Sequence, residues 1–308
     1  DGIRDCLLSR GLGDVYKRQQ ITIENISPKI TSKSNALVKK FRSFKKGLNT
    51  KDKDYFCIEG THLTEEMLNS GNYPSKILAT EKWLDKNEDL YQKIEQSLLN
   101  VVSEEVLASV VSTKNPDGVA ALVEISSIPN FDFNNIEDDF ILVLDRIQDP
   151  GNMGNLFRTA LAAGVNKILL AGGAHPLGQK VLRASSGSVF HLPFKRFDGT
   201  EEEIINSLLS SLDQFSKNGF QIISTSSHNK NLNKPQKPYW EIDWSKPTAL
   251  ILGNEGNGIH KRIQEAFNET ITIPHSELVE SLNVACVAVP LLLERKRVTY
   301  TSTSRIQK

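Results

Sequence analysis

The chain has 308 residues, with 37 lysines and arginines against 37 aspartates and glutamates; that length allows two domains, and the neutral total excludes a general polyanion-binding field while leaving room for a local patch. Its three cysteines, Cys6, Cys57 and Cys286, are odd in number and far apart with no CxxC, which argues against a disulfide framework and a structural zinc site and fits a reducing, cytoplasmic setting. No apolar run reaches the roughly 18 residues of a membrane span, and the first residues lack the apolar centre of a signal peptide.

Residues 1–20 (DGIRDCLLSRGLGDVYKRQQ) hold no sustained period and begin without Met, and are read as a disordered or non-native tail. A first folded region is expected over residues 21–128. Ser34 is placed to cap a helix with Ala36, Leu37, Phe41 and Phe44 on one side. Lys39, Arg42 and Lys46, with Lys40 beside them, fall on the other. Between Lys29 and Lys53 nine basic residues meet one acid, Asp52. Such a run is a solvated face in the plainest reading and a phosphate-backbone contact in the sharper one.

Tyr55–Glu59 (YFCIE) has the pattern of a strand closed by Gly60, with Cys57 a small core residue. His62 opens the next helix and has no partner at metal-ligand spacing. Strand and helix signals then alternate: a strand at Lys76–Thr80, a charged helix around Trp83–Leu99, a strand at Asn100–Ser103, a helix from Glu104, and the apolar strand Gly118–Ile125. This describes a compact α/β unit. The stretch after it is polar, acidic and Pro-containing; residues 129–139 are read as a linker and residues 140–308 as the second domain.

Phe140–Leu144 (FILVL) is a short apolar run suited to a buried strand, broken by the turn-forming Asp149-Pro150-Gly151-Asn152. From about Gly154 the apolar residues take helical spacing, Leu156 with Ala160 and Phe157 with Leu161. Gly164 stands where a left-handed cap is expected, before a second buried strand at Val165–Leu170. The strand–loop–helix–strand unit belongs to parallel α/β sheets, and its loop and first turn carry Asn152, Asn155 and Arg158. Strand ends facing a helix amino terminus bind ligands and favour anions. A solvated cap followed by a surface arginine would look the same.

The small residues Ala184, Ser185, Ser186 and Gly187 fit close packing better than ligand contact. Thr200 with Glu203 forms a capping box before a helix with Ile204, Leu208 and Leu212 on one face, ended by Gly219. Phe220–Ser224 returns as a strand, and His228–Lys246 is a polar excursion anchored by Trp240 and Trp244. Thr248–Leu252 (TALIL) then runs into Gly253-Asn254-Glu255-Gly256-Asn257-Gly258, whose glycines leave backbone groups open to a ligand. The spacing is neither a P-loop nor GxGxxG. Glu255 has no evident structural task in that turn. Ile271–Pro274 is the last strand, and Ser281-Leu282-Asn283-Val284-Ala285 opens a final apolar helix, with Ser281 and Asn283 also possible as caps.

Three ordered motifs, DRIQDPGNMGNLFRTALAAGV, LILGNEGNGI and ITIP…ESLNVACVA, resemble those of the SpoU (TrmH-type) RNA methyltransferases of the SPOUT superfamily. The front half, through SKSNALVKKFRSF, FCIEGTHL and TKNPDGVAAL, is similar to that family's substrate-binding domain. The resemblance covers nearly everything from Ser34 to Arg297. It implies an α/β fold whose carboxyl-terminal domain carries a trefoil knot, an exception to the no-knot rule, preceded by a smaller α/β RNA-binding domain. It also implies S-adenosylmethionine as cofactor, no metal, a homodimer, and methylation of a ribose 2′-hydroxyl in RNA, rRNA ahead of tRNA.

Carried over by position, the resemblance gives Asn152, Arg158, Glu255, Ser281 and Asn283 as the catalytic set. Leu252, Gly253, Asn254, Gly256, Gly258, Ile273, Leu282 and Asn283 become the cofactor residues, and Lys39, Lys40, Arg42 and Lys46 the RNA contacts. His275–Val279 (HSELV) lacks the glycine common in the third motif, and Pro290 falls inside the last helix. Arg158 is usually assigned as the base for the hydroxyl proton. A guanidinium stays protonated, so donation to a forming alkoxide or to a phosphate is an equal alternative. The rival functions are a silent RNA-binding protein of the same fold, an RNA base methyltransferase and, more distantly, a nicotinamide-dependent dehydrogenase.

Overall fold

The computed structural model describes residues 28–48, 52–136, 139–226, 236–276 and 278–306. The expected tail, residues 21–27, 49–51, 137–138, 277 and 307–308, and the first part of the excursion, residues 227–235, lie outside the described residues.

The first unit is built from α1 (Ala36–Ser43), β1 (Tyr55–Glu59), α2 (Thr61–Asn69), β2 (Lys76–Ala79), α3 (Glu81–Lys86), α4 (Glu88–Tyr91), β3 (Leu99–Val101), α5 (Glu104–Val110) and β4 (Val119–Glu124). Its sheet runs β1-β4-β2-β3, with β4 antiparallel to both neighbours and β2 parallel to β3. Asn35, not Ser34, caps α1 by accepting from the Leu37 amide at 2.8 Å. That shift puts Val38 with Phe41 and Phe44 in the core and leaves Ala36 exposed. The single charged helix expected around Trp83–Leu99 breaks at Asn87, whose side chain donates to the Trp83 carbonyl at 2.8 Å and whose backbone leaves the helical region. The following strand begins one residue earlier than expected, at Leu99.

Within the stretch expected as a linker, residues 129–136 do not hang free. Phe131 and Ile136 are buried, and Phe131 lies 6.2 Å from the ring of Phe215. Their apolar contacts outweigh the polar composition that suggested a linker.

The second unit contains β5 (Phe140–Asp145), α6 (Pro150–Ala163), β6 (Lys167–Ala171), α7 (Gln179–Ser185), β7 (Phe194–Phe197), α8 (Glu201–Lys217), β8 (Gln221–Thr225), β9 (Lys237–Pro238), β10 (Thr248–Leu252), α9 (Lys261–Ala266), β11 (Glu269–Thr272) and α10 (Val284–Ile306). The sheet order is β7-β6-β5-β10-β8-β11-β9 and every pairing is parallel. β5 and β10 are buried along their whole length, as parallel strands covered on both faces should be.

From β5 the chain steps to β6 on one side, while β10 and β8 lie on the other. A ligand crevice is expected outside the carboxyl ends of strands at such a reversal. Leu144 pairs with Leu252; the Asp149-Pro150 loop and the glycine loop therefore leave the sheet side by side.

α6 starts at Pro150, earlier than its apolar period suggested, because Asp149 caps the Asn152 amide at 2.8 Å and Pro suits the first helical position. Leu161, expected on the buried face, is 39% exposed. Gly164 takes the left-handed cap at φ 77. The Thr200–Glu203 capping box is present at the start of α8. Trp244 is buried, whereas Trp240, expected as a second anchor, is 54% exposed. β11 ends at Thr272, two residues short of the expected strand, and α10 continues through Pro290.

The small residues of α7 are packing residues. A Cβ added to Gly154 would sit 2.4 Å from the Ala184 Cβ, which brings α6 and α7 close enough to exclude a methyl group. α7 also meets the first unit: Gln179 Nε2 donates to the Cys57 carbonyl at 2.6 Å, and Arg183 pairs with the buried Glu59 at 3.6 Å. Phe56 and Phe190 stack at 6.5 Å across the same seam. Among the described residues, no helix is long and apolar enough to cross a membrane.

Candidate active site

The three motif loops meet through side chains. Asn152, in the first turn of α6, donates from Nδ2 to Glu255 Oε1 at 3.1 Å. Its Oδ1 accepts from Asn283 Nδ2 at 3.0 Å. Asn283 in turn caps α10 by accepting from the Ala285 amide at 2.9 Å. One residue from each motif thus belongs to a single hydrogen-bonded chain.

Glu255 also accepts from the amides of Gln148 at 3.3 Å and Asp149 at 3.4 Å. Expected to have no structural task, it fixes the loop ahead of α6. Burial pushes its carboxyl up, but the bonds from Asn152 and the backbone amides outweigh this and hold it below the ordinary glutamate range. Glu255 is therefore an ionised acceptor at neutral pH, a poor store for a proton.

Beside this chain lies a cavity of about 810 Å³. All eight residues expected to hold the cofactor line it: Leu252, Gly253, Asn254, Gly256, Gly258, Ile273, Leu282 and Asn283. Glu255 and Ser281 line it too, while Asn152 stands behind and Arg158 is not on its wall. Arg158 is exposed on α6 and has no polar partner among the described residues.

Sequence reasoning missed Thr225, Ser226 and Thr272 on the same wall. The Thr272 hydroxyl is buried with no hydrogen-bond partner; a polar group left so is expensive unless something fills the space beside it. Period alone marks Thr272 only as a strand residue. Asp149 was legible, since an acidic residue directly before Pro at a helix start is a capping signal.

The basic face divides. Arg42 is tied to Ser109 Oγ at 3.0 Å and to the Lys33 carbonyl at 3.1 Å. Lys40 pairs with Asp52 at 3.4 Å and stands 3.8 Å over the Tyr55 ring. Lys39 and Lys46 are exposed, with no polar partner among the described residues. Lys46 lies beyond the end of α1.

Residues 139–293 match the model of the SpoU rRNA Methylase family, and residues 35–121 that of the MRM3-like substrate binding domain. An uncharacterised tRNA/rRNA methyltransferase of Synechocystis is 35% identical over 89% of this chain and 96% of its own. The chain belongs to the SpoU rRNA methylase family. A 23S rRNA (guanosine(2553)-2′-O)-methyltransferase of Bacillus subtilis is 32% identical over 85% of the chain and 97% of its own. The crystal structure of an AdoMet-bound rRNA methyltransferase from Sinorhizobium meliloti superimposes with a TM-score of 0.72 at 27% identity, covering 87% of this chain and 97% of that one. In this SpoU methylase the hydrogen-bonded residues Asn152, Glu255 and Asn283 come from three separate stretches of the matched region.

Proposed function

We propose that the chain transfers a methyl group from S-adenosylmethionine to a ribose 2′-hydroxyl of structured RNA, rRNA in preference to tRNA. The observation that carries this is the Asn283–Asn152–Glu255 chain at the rim of the glycine-loop cavity. The cavity suits the cofactor: a polar wall with an orphan Thr272 hydroxyl, and the glycine loop that Leu252 leads into. When bound, the cofactor supplies an electrophilic methyl group. The loops of Leu252–Gly258 and Ile273–Asn283 would hold it through backbone groups.

The rest falls to the chain. Asn152 and Glu255 fix the first turn of α6, so the helix presents Arg158 in one orientation. Arg158 keeps its charge and donates to the oxygen on which negative charge develops, or to the adjoining phosphate, while the hydroxyl proton leaves to solvent water as the oxygen takes the methyl group. Ser281 and Asn283 shape the mouth of the cavity. Lys39 and Lys46 are left to meet the RNA backbone. The homodimer and the trefoil knot expected of the family are part of the same proposal. Leu161 on α6 and Val289 and Leu293 on α10, each 39–44% exposed, give the dimer an apolar surface.

The test is methyl transfer to ribosomal RNA fragments, with the product read by resistance of the modified nucleotide to alkaline cleavage. A methyl group on a base would favour the base-methylating alternative. Cofactor binding without any transfer would favour a silent RNA binder.

A further inference from the structure

Asp145 and Arg146, at the end of β5, are not used by the chemistry above, yet their geometry is unusual. Asp145 is fully buried and ionisable. It accepts from Arg146 Nε at 2.8 Å and Nη2 at 3.2 Å, and from the His260 amide, beyond the glycine loop, at 2.7 Å. Arg146 has a positive φ of 56, a left-handed conformation that a non-glycine residue adopts only under strain. Its guanidinium is tied to Asp145 and to Glu201 at 2.7 Å, and its amide to the Ala171 carbonyl at 3.0 Å.

The left-handed turn at Arg146 leaves its carbonyl to Asn254 Nδ2, which donates to it at 2.8 Å. The other end of the same side chain, Oδ1, accepts from the amides of Gly256 at 2.9 Å and Asn257 at 3.0 Å. Asn254 thus spans the two motif loops, holding the first by a carbonyl and the second by two amides. Those amides belong to the loop that lines the cavity.

We propose that Asp145, Arg146 and Asn254 form a positioning clasp that shapes the glycine loop before the methyl donor arrives. The clasp stores its strain at Arg146 and passes it through Asn254 to the Gly256 and Asn257 amides. A loop already ordered loses less freedom on binding, so the clasp acts on cofactor affinity more than on the transfer step. This rests on the reading of the cavity as the S-adenosylmethionine site.

Amide hydrogen exchange and calorimetry with S-adenosylmethionine test it on the full chain. Asn254→Ala should speed exchange at Gly256 and Asn257 and weaken binding on the order of tenfold, as loss of a few hydrogen bonds predicts. The loss should appear in the KM for the cofactor more than in kcat. Asn254→Asp keeps the acceptor and loses the donor, and should fall between. Arg146→Val and Arg146→Asn remove the same ion pairs, but only Asn tolerates a positive φ; Arg146→Val should bind more weakly. Equal affinities for those two variants, or unchanged exchange in Asn254→Ala, overturn the clasp. Faster exchange in Asn254→Ala with no binding by the unaltered protein removes the cofactor reading instead.

Discussion

Asn152 and Asn283 meet at 3.0 Å, and through that one bond the first turn of α6 is joined to the cap of α10. Each amide is used at both ends: Asn152 also donates to Glu255, and Asn283 also accepts from Ala285. Asn152→Ala removes two of these bonds and leaves Glu255 with backbone donors. We expect it to lower stability by about 1–3 kcal/mol and the transfer rate by more than cofactor affinity. Denaturant unfolding beside single-turnover kinetics measures both; an unaltered rate would mean that the three motifs need no such link.

Two glycines of the cavity loop should respond differently. A Cβ on Gly253 would lie 2.4 Å from the Ile259 amide nitrogen, a backbone atom that cannot swing aside. On Gly256 the nearest atom is Asn254 Oδ1 at 3.6 Å, an ordinary contact. Gly253→Ala should lower both Tm and cofactor affinity, while Gly256→Ala keeps the fold. Gly256→Val should lose binding because its side chain enters the cavity, and normal calorimetric binding by a folded Gly256→Val protein would place the cofactor elsewhere.

Arg158 separates enzyme from binder. If it acts only in the transition state, Arg158→Ala should reduce the rate at saturating substrates on the order of 100-fold or more and spare cofactor affinity. Arg158→Lys keeps a charge without the planar fork. Activity with a new alkaline pH dependence in Arg158→Lys would favour proton removal, whereas loss in both variants favours directed donation. Full activity in Arg158→Ala would end the assignment.

For RNA, Lys39 and Lys46 are the residues to reverse, since Arg42 and Lys40 are occupied within the fold. Lys39→Glu with Lys46→Glu should weaken RNA binding and flatten its salt dependence, with cofactor affinity unmoved. A salt slope identical to the parent's would make this face plain solvated surface.

His175 gives a pH signature away from the cavity. Burial, with Arg196 nearby, lowers its imidazole to about 4 from an ordinary 6.5. The folded state therefore holds fewer protons than the unfolded chain between those values. Stability should fall as pH drops from 6.5 to about 4, by at most ~1.4 kcal/mol per pH unit from this group. Thermal unfolding of His175→Gln across that window should show a shallower slope; an identical slope would assign the acid sensitivity to other groups.

The strands around the site were legible because they are short, apolar and followed by turn residues: β5, β10 and the body of α6 from about Gly154 follow from period, whereas its first turn, capped by Asp149, does not. Membership of the cavity was legible only where glycines left the backbone open. The task of Glu255 was not, because its donors, Gln148 and Asp149, lie more than a hundred positions away and are backbone amides of no particular residue type. Likewise nothing in the spacing of Lys39, Lys40, Arg42 and Lys46 tells which of the four is held by Ser109 or Asp52. The split of the Trp83–Leu99 helix hinged on one asparagine turning back to a carbonyl, a local bond that competes with helix in a way periodicity does not register.

The contact between Gly154 and Ala184 constrains what this lineage can become. With 2.4 Å between the Ala184 Cβ and the place where a methyl on Gly154 would stand, neither position can grow unless the other shrinks or the helices part. Parting them would shift α6, which bears Arg158, away from α7, which grips the front unit through Gln179 and Arg183. A bulkier residue at either point is therefore a change in the aim of one half of the molecule relative to the other. Divergence of substrate choice has to be written in the loops and the basic surface, because this joint leaves it no slack.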